Sequence, residues 1–219
     1  MGKLNKIFFC LGVVVCFYLL FGELVSTRKQ RNTISELQEG LEASDDHFLA
    51  ECYEDARRYN EGLYREPGVN RNSDYPELLN PFKNGIMGYI EIPKIDVMLP
   101  IYHGTEDVVF EKGVGHIYGS SLPVGGTSSH CLLAGHRGLP GAKLLTELGK
   151  MEVGDVFYIY VCERTFIYQV SEVMVIKPED TENLRIREGK DRVSLITCTP
   201  YGINTHRLVV TGERREKEG

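Results

Sequence analysis

The chain changes its pattern of apolar and polar positions three times. From Ile7 to Gly22 it reads IFFCLGVVVCFYLLFG, without a charge, and Leu24 and Val25 carry the apolar character past Glu23. A helix rising about 1.5 Å per residue needs about 17 to 20 such residues to cross a bilayer. Residues 1–25 are therefore expected to form a single membrane anchor with Glu23 at the interface. Lys3 and Lys6 would also suit the n-region of a signal peptide, but FGELVSTR offers no cleavage site of small residues, which favours an uncleaved anchor. Because Arg28, Lys29 and Arg31 follow the span, the charge count alone leans toward the opposite orientation from an external carboxyl-terminal domain.

Between residues 33 and 63 the apolar positions Ile34, Leu37, Leu41, Phe48, Cys52, Ala56, Tyr59 and Leu63 recur at steps of three or four, apart from one gap of seven. That period predicts a helical extension laid against a core, with Glu and Asp on its outer face. REPGVNRNSDYPELLNPFKNG, from Arg65 to Gly85, carries three prolines and four asparagines and has little period, so a loop is expected. Loops of this length inside a compact domain are usually lids or binding segments. Residues 26–85 thus read as a helical extension and a lid loop.

From Ile86 the pattern turns to short strands: IMGYIEIPKI, VMLPIY, HCLLAGH, VFYIYVCERTFIYQVSEVMVI, RVSLITC and HRLVVTGE, rich in Val, Ile, Tyr and Phe and mostly bounded by Gly, Pro or Asp. The fourth reads as two strands folded at Cys162 to Thr165. Helical patches are expected only near Asp107 to Lys112 and from Ala142 to Met151. Many short strands with few helices predict a mostly β fold, a closed barrel over residues 86–214 with peripheral helices, followed by a charged tail at 215–219.

Composition narrows the chemistry. The 219 residues suit one ordinary core, and 25 basic against 31 acidic side chains give a net charge of −6. No Lys/Arg block interleaves with aromatics, so no nucleic-acid partner is expected. There is no C-x-x-C and no H-E-x-x-H, and His and Cys are dispersed, so no metal site is expected.

Three residues stand out against that background. Cys198 ends the run VSLIT and begins CTPYG, a strand end at a Pro-containing turn, where a thiol meets solvent; the other cysteines lie inside periodic or apolar segments and fit the commoner role of buried, inert thiols. The turn TPYGIN folds the next strand back beside it, and a symmetric count brings Arg207 to the same rim. There it is either an exposed strand arginine or a fixed cation and oxyanion donor. His206 alternates to the other face. His136 follows CLLAG and precedes RGLPG, again a strand end at a glycine turn, and by itself reads equally as a structural histidine or a proton carrier.

The wording MGYIEIPKI, LPIYHGT, GVGHIYGSSLPVGGTSSH, LAGHRGLPGAKLL and LITCTPYGINTHRLVVTGER, in this order over Gly88 to Glu213, resembles the sortases, and most the class C, pilus-assembling branch. The resemblance implies an eight-stranded barrel, no cofactor, and a membrane-anchored enzyme on the outside of a Gram-positive cell. It makes Cys198 the nucleophile, His136 the general acid and base, and Arg207 the group that orients substrate and stabilises the oxyanion. The implied reaction is transpeptidation: Cys198 cleaves an LPXTG-like sorting signal of a pilin or surface protein through a thioester, and a pilin lysine resolves it. A housekeeping sortase, which uses the amine of the peptidoglycan precursor lipid II, is the alternative. The chain departs from the branch in three places: Ser194 replaces the first Thr of the Thr-Leu-X-Thr-Cys signature, no second apolar span follows the barrel, and the Asp-Pro-aromatic lid is missing. Its nearest substitutes are Glu66-Pro67-Gly68 and Asn80-Pro81-Phe82, so Glu66, Pro67, Asn80, Pro81 and Phe82 are the candidate lid residues.

Overall fold

The computed structural model of the chain describes residues 3–66 and 75–215, with the side chains of residues 3–7, 11 and 14–20 outside that description. Helix α1 (Lys3–Glu42) is continuous. Most side chains of the predicted anchor fall outside the description; among the described residues no helix is long and apolar enough to cross a membrane.

The helical extension is two helices. The gap of seven in the apolar period holds Asp45, whose Oδ1 accepts from the backbone N–H groups of His47 and Phe48 at 2.9 and 3.2 Å and so starts α2 (Asp46–Arg65). The break resets the phase, and Leu49 is buried while Phe48 stays exposed. On α1, Ile34, Leu37 and Leu41 cluster with Ile86 and Tyr89 of the barrel. On α2, Tyr53 stacks on Phe166, with the Arg164 guanidinium 4.0 Å from its ring. Asn60 is buried and makes three bonds to one loop: its Nδ2 donates to the carbonyls of Leu122 and Gly125, and its Oδ1 accepts from Leu122 N–H at 2.7 Å.

Eight strands close into a barrel: β1 (Ile86–Ile92), β2 (Val97–His103), β3 (Val114–His116), β4 (Ser129–Ala134), β5 (Val156–Val161), β6 (Arg164–Ile176), β7 (Asp191–Thr199) and β8 (His206–Arg214). Their order around the wall is β1-β2-β3-β4-β7-β8-β6-β5, with β2–β3 and β4–β7 parallel. The predicted fold of one apolar run into two strands is the β5–β6 hairpin, whose turn is just Cys162 and Glu163, both at positive φ, as a right-twisted two-residue hairpin requires. Alternating residues such as Leu99, Leu133, Phe157, Tyr168, Leu195 and Val210 fill the interior.

The first helical patch is present as a single turn, α3 (Asp107–Phe110). Two other expectations change. The second patch, Ala142 to Met151, is not an α-helix: it winds as successive turns, with a 3₁₀ helix at Leu148–Lys150, in which Thr146, Leu148, Lys150 and Met151 each donate to the carbonyl three residues back. Turns of that kind repeat every three residues, so they bury Ala142, Leu145, Leu148 and Met151 with the spacing that mimics a helix. The predicted loop from Arg65 to Gly85 is also less open than expected, because Tyr75 and Leu79 are core residues.

Candidate active site

The site follows from parity and register. On β7, Val193 and Leu195 point into the barrel, so Ser194, Ile196 and Cys198 point outward; Leu133 and Val210 fix the parity of β4 and β8 in the same way. Ala134 pairs with Ile196, and Ile196 with Val209, across the three neighbouring strands. Two residues further along the same face, Cys198 pairs directly with Arg207. The β4–β7 pairing continues past the end of β4, where Gly135 N–H donates to the Ile196 carbonyl at 3.0 Å. That register sets His136 on the other flank of Cys198. His136, Cys198 and Arg207 thus form one row at the rim, and each is half-buried. Strands about 4.8 Å apart set neighbouring members of such a row side by side.

Neighbouring groups shape the row. The ring of Phe110 lies 5.2 Å from that of His136, tilted by 57°. Arg207 Nη1 donates to the carbonyls of Asn204 and His206 at 3.1 and 3.0 Å, which closes the turn and leaves Nε and Nη2 outside these bonds. His206 faces away and bonds Thr205.

Below the row, the outer face of β4, β7 and β8 is an apolar floor of Leu132, Ile196 and Val209, with Ile176 beside it. Over it lies a groove of about 820 Å³, walled by Ile117 and Tyr118 on one side, by Leu184 and Ile186 on another, and by Leu63 and Tyr64 at the end of α2. Arg207 lines it too, which joins groove and row. One polar chain ties the floor to the wall: Arg192 Nη2 donates to the Arg185 carbonyl at 2.7 Å and to His130 Nδ1 at 2.9 Å. The His130 proton therefore sits on Nε2, which donates to Ser194 Oγ at 2.7 Å, and Ser194 meets Thr211 Oγ1 at 2.7 Å. Burial, reinforced by the adjacent Arg192 charge, pushes His130 down to about 4 and keeps it neutral. The hydroxyl of Ser194 is thus engaged, which is the part of the signature threonine that this chain retains.

The structure pairs Cys198 with Arg207 across β7 and β8, and the continued register of β4 with β7 places His136 on the other flank of Cys198. It does not bring Asn80, Pro81 and Phe82 to them: Asn80 bonds Pro76 and Gly85, and the Phe82 ring packs on Gly40 of α1, the helix covering β1 and β2 across the barrel. Glu66 is exposed at the end of α2, next to Leu63 and Tyr64 of the groove, and Pro67 lies outside the described residues. Among the described residues no group of three His, Cys, Asp or Glu could hold a metal ion. Sequence reasoning missed Phe110, which lay within the expected helical patch of Asp107 to Lys112, and Tyr118, in a stretch given no element.

A thiol, an imidazole and a guanidinium in one row can attack an acyl carbon, carry its proton and bind its oxyanion. The sortase domain family model matches residues 90–215. Sortase D of Bacillus subtilis is 31% identical over 130 residues, 58% of this chain and 63% of its own. The chain spans about three fifths of the length of the first curated relatives it matches. Sortase C1 of Streptococcus agalactiae has a structure similar at a TM-score of 0.82 and 40% identity, over 85% of this chain and 100% of its own. A Clostridium perfringens sortase C, solved with the C-terminal cell wall sorting motif, gives 0.76 and 39% over 84% and 98%. Matched by the family model over more than half its length, and sharing the closed barrel with these structures, the chain belongs to the sortase family.

Proposed function

We propose that the chain is a cysteine transpeptidase that cleaves an LPXTG-like sorting signal and passes the acyl group to the side-chain amine of a pilin lysine. The observation that carries this reading is the row of His136, Cys198 and Arg207 at the end of an apolar groove. The groove suits the leucine and proline of such a signal. The Cys198 sulfur attacks the threonine carbonyl carbon, and the oxygen that becomes negative is met by donors of Arg207. His136 protonates the glycine nitrogen as the C–N bond breaks, leaving a thioester on Cys198. The incoming amine then adds to the thioester, gives its proton to His136 and releases the thiolate. The groove keeps water from the thioester, so that an amine, rather than water, resolves it.

The pilin acceptor rests on the likeness to sortase C structures at about 40% identity. The same reading has residues 1–25 hold the enzyme in the membrane with its barrel outside the cell.

Cys198→Ala and Arg207→Ala are each expected to abolish cleavage of an LPXTG-type peptide that the wild-type chain cleaves. Retained turnover in either variant overturns the assignment. Isolation of the product joined to a pilin lysine supports the polymerising role; a product joined to a peptidoglycan amine instead makes the chain a sortase that anchors surface proteins.

A further inference from the structure

The strand that leads to His136 ends at Ala134, so the histidine stands beyond the regular ladder that would hold it beside Cys198. Among the described residues no carboxylate bonds its ring to orient it. The register of the two catalytic groups must come from other contacts, and the alternation of β7 supplies them. Thr197 and Thr199 flank Cys198 and point to the opposite side of the sheet from the thiol. Thr197 Oγ1 donates to the Gly135 carbonyl at 2.8 Å, and Arg137 Nη1 donates to Thr199 Oγ1 at 2.8 Å. The residues on either side of Cys198 are thereby bonded to the residues on either side of His136.

We infer that the bonds Thr197–Gly135 and Arg137–Thr199 form a two-point clasp on the reverse face of the sheet that fixes the His136 imidazole against the Cys198 thiol, making Arg137, Thr197 and Thr199 positioning residues for the proton transfers. Two points are needed because one bond leaves the segment free to swivel about it; the second sets its rotation. Thr197 is 2% exposed, so its bond forms away from water. Further contacts brace the segment from outside: Leu145 N–H donates to the His136 carbonyl at 3.3 Å, and Gly138 N–H to Thr146 Oγ1 at 3.2 Å. Proton transfer demands a heavy-atom distance of about 2.6–3.2 Å, and a misplacement of about 1 Å can lower a rate roughly 100-fold. Small losses of registration therefore act on the chemical step far more than on folding.

This inference rests on the transpeptidase reading, and its test separates the two. Steady-state cleavage of an LPXTG-type peptide is measured for the full chain, Thr199→Val, Thr199→Ser, Arg137→Met and the double variant Thr199→Val/Arg137→Met, with melting curves for each. Thr199→Val is expected to lower kcat by about 10- to 100-fold with KM within about twofold, because positioning acts on the transition state and not on binding. Thr199→Ser restores most of kcat, since it keeps the hydroxyl. Arg137→Met gives a similar loss, and the double variant loses no more than the worse single one, as partners in one bond require. Thr199→Val or Arg137→Met at wild-type kcat overturns the clasp, as do additive losses, or a loss that Thr199→Ser shares in full. If the wild-type chain leaves the peptide intact, the transpeptidase reading fails and the clasp's catalytic role fails with it; if the wild type turns over and the variants match it, the clasp alone fails.

Discussion

Cys198 differs from the other barrel thiols by position. Burial raises Cys131 well above the ordinary thiol range and pushes Cys162 up to about 12. Cys52 on α2 is raised as well, chiefly by burial. Cys198 instead sits half-exposed at the end of β7, where a reagent can reach its sulfur. A small alkylating reagent at about pH 8 is expected to label Cys198 much faster than Cys131 or Cys162; peptide mapping by mass spectrometry reads the order, and equal labelling would contradict it. The cysteine and its pairing with Arg207 were legible in the sequence, because a strand end at a Pro turn exposes a side chain and a symmetric count across a short turn gives the register. The bonds of Arg137 and Thr199 were not, since side chains 62 positions apart meet only once β4 lies parallel to β7. Gly138 shows the same limit. At φ +80 it accommodates the Tyr201 ring, where an added Cβ would collide with the ring. Gly138→Ala is expected to destabilise by about 1 kcal/mol or more, through the left-handed backbone and the displaced ring, and to lower turnover; unchanged melting and turnover would count against the packing described.

Among the elements, α2 does the most for the groove. Its end supplies Leu63 and Tyr64, and Asn60, one turn earlier, holds the loop that carries Tyr118. Removing that amide leaves the buried Leu122 N–H and the Gly125 carbonyl short of partners, while the Leu122 carbonyl keeps its bond from Val124 N–H. Asn60→Ala is therefore expected to lower unfolding free energy by about 2–4 kcal/mol in urea titration and to raise KM for the peptide. A loss below about 1 kcal/mol would mean that water replaces the amide. The helical period of α2 was plain in the sequence, whereas the break before it was not: the gap of seven reads as part of one continuous helical stretch, and Asp45 caps a second helix there. The stretch from Ala142 to Met151 misled because burial every three residues fits both a helix and a chain of tight turns. Leu144 at φ +39, the donation of Leu145 N–H to His136 and the bonds to carbonyls three residues back distinguish them, and all of these depend on the finished fold.

At the scale of the molecule, a closed barrel was legible from the run of short strands, whereas its order was not. The parallel pairing of β4 with β7, with Ser129 opposite Asp191, joins segments with two strands between them, and local pattern carries no sign of that. The same closure buries titratable groups. Burial pushes both His116 and His130 down to about 4 from 6.5. Both are then neutral in the folded chain, while the unfolded chain takes up their protons below about pH 6.5. The stability they contribute is complete above that value and is lost as pH falls toward 4, on the order of 3 kcal/mol for each histidine at 1.36 kcal/mol per unit. Asp191, raised mainly by burial, works in the opposite sense, with the folded form gaining as pH falls toward 3.8. Urea titrations at pH 7, 5.5 and 4.5 are expected to show a steep fall, less steep in His130→Gln; a flat profile would contradict the burial of neutral imidazoles.

The chemistry assigned to the rim is tested most directly by trapping its intermediate. The full chain is mixed with an LPXTG-type peptide, quenched in acid, and its intact mass and proteolytic fragments are measured. The expected result is a mass increase equal to the peptide's acyl portion through threonine, located on the fragment holding Cys198 and removed by hydroxylamine, as a thioester requires. Cleavage of the peptide with no such adduct, or with the acyl group on another residue, would contradict it.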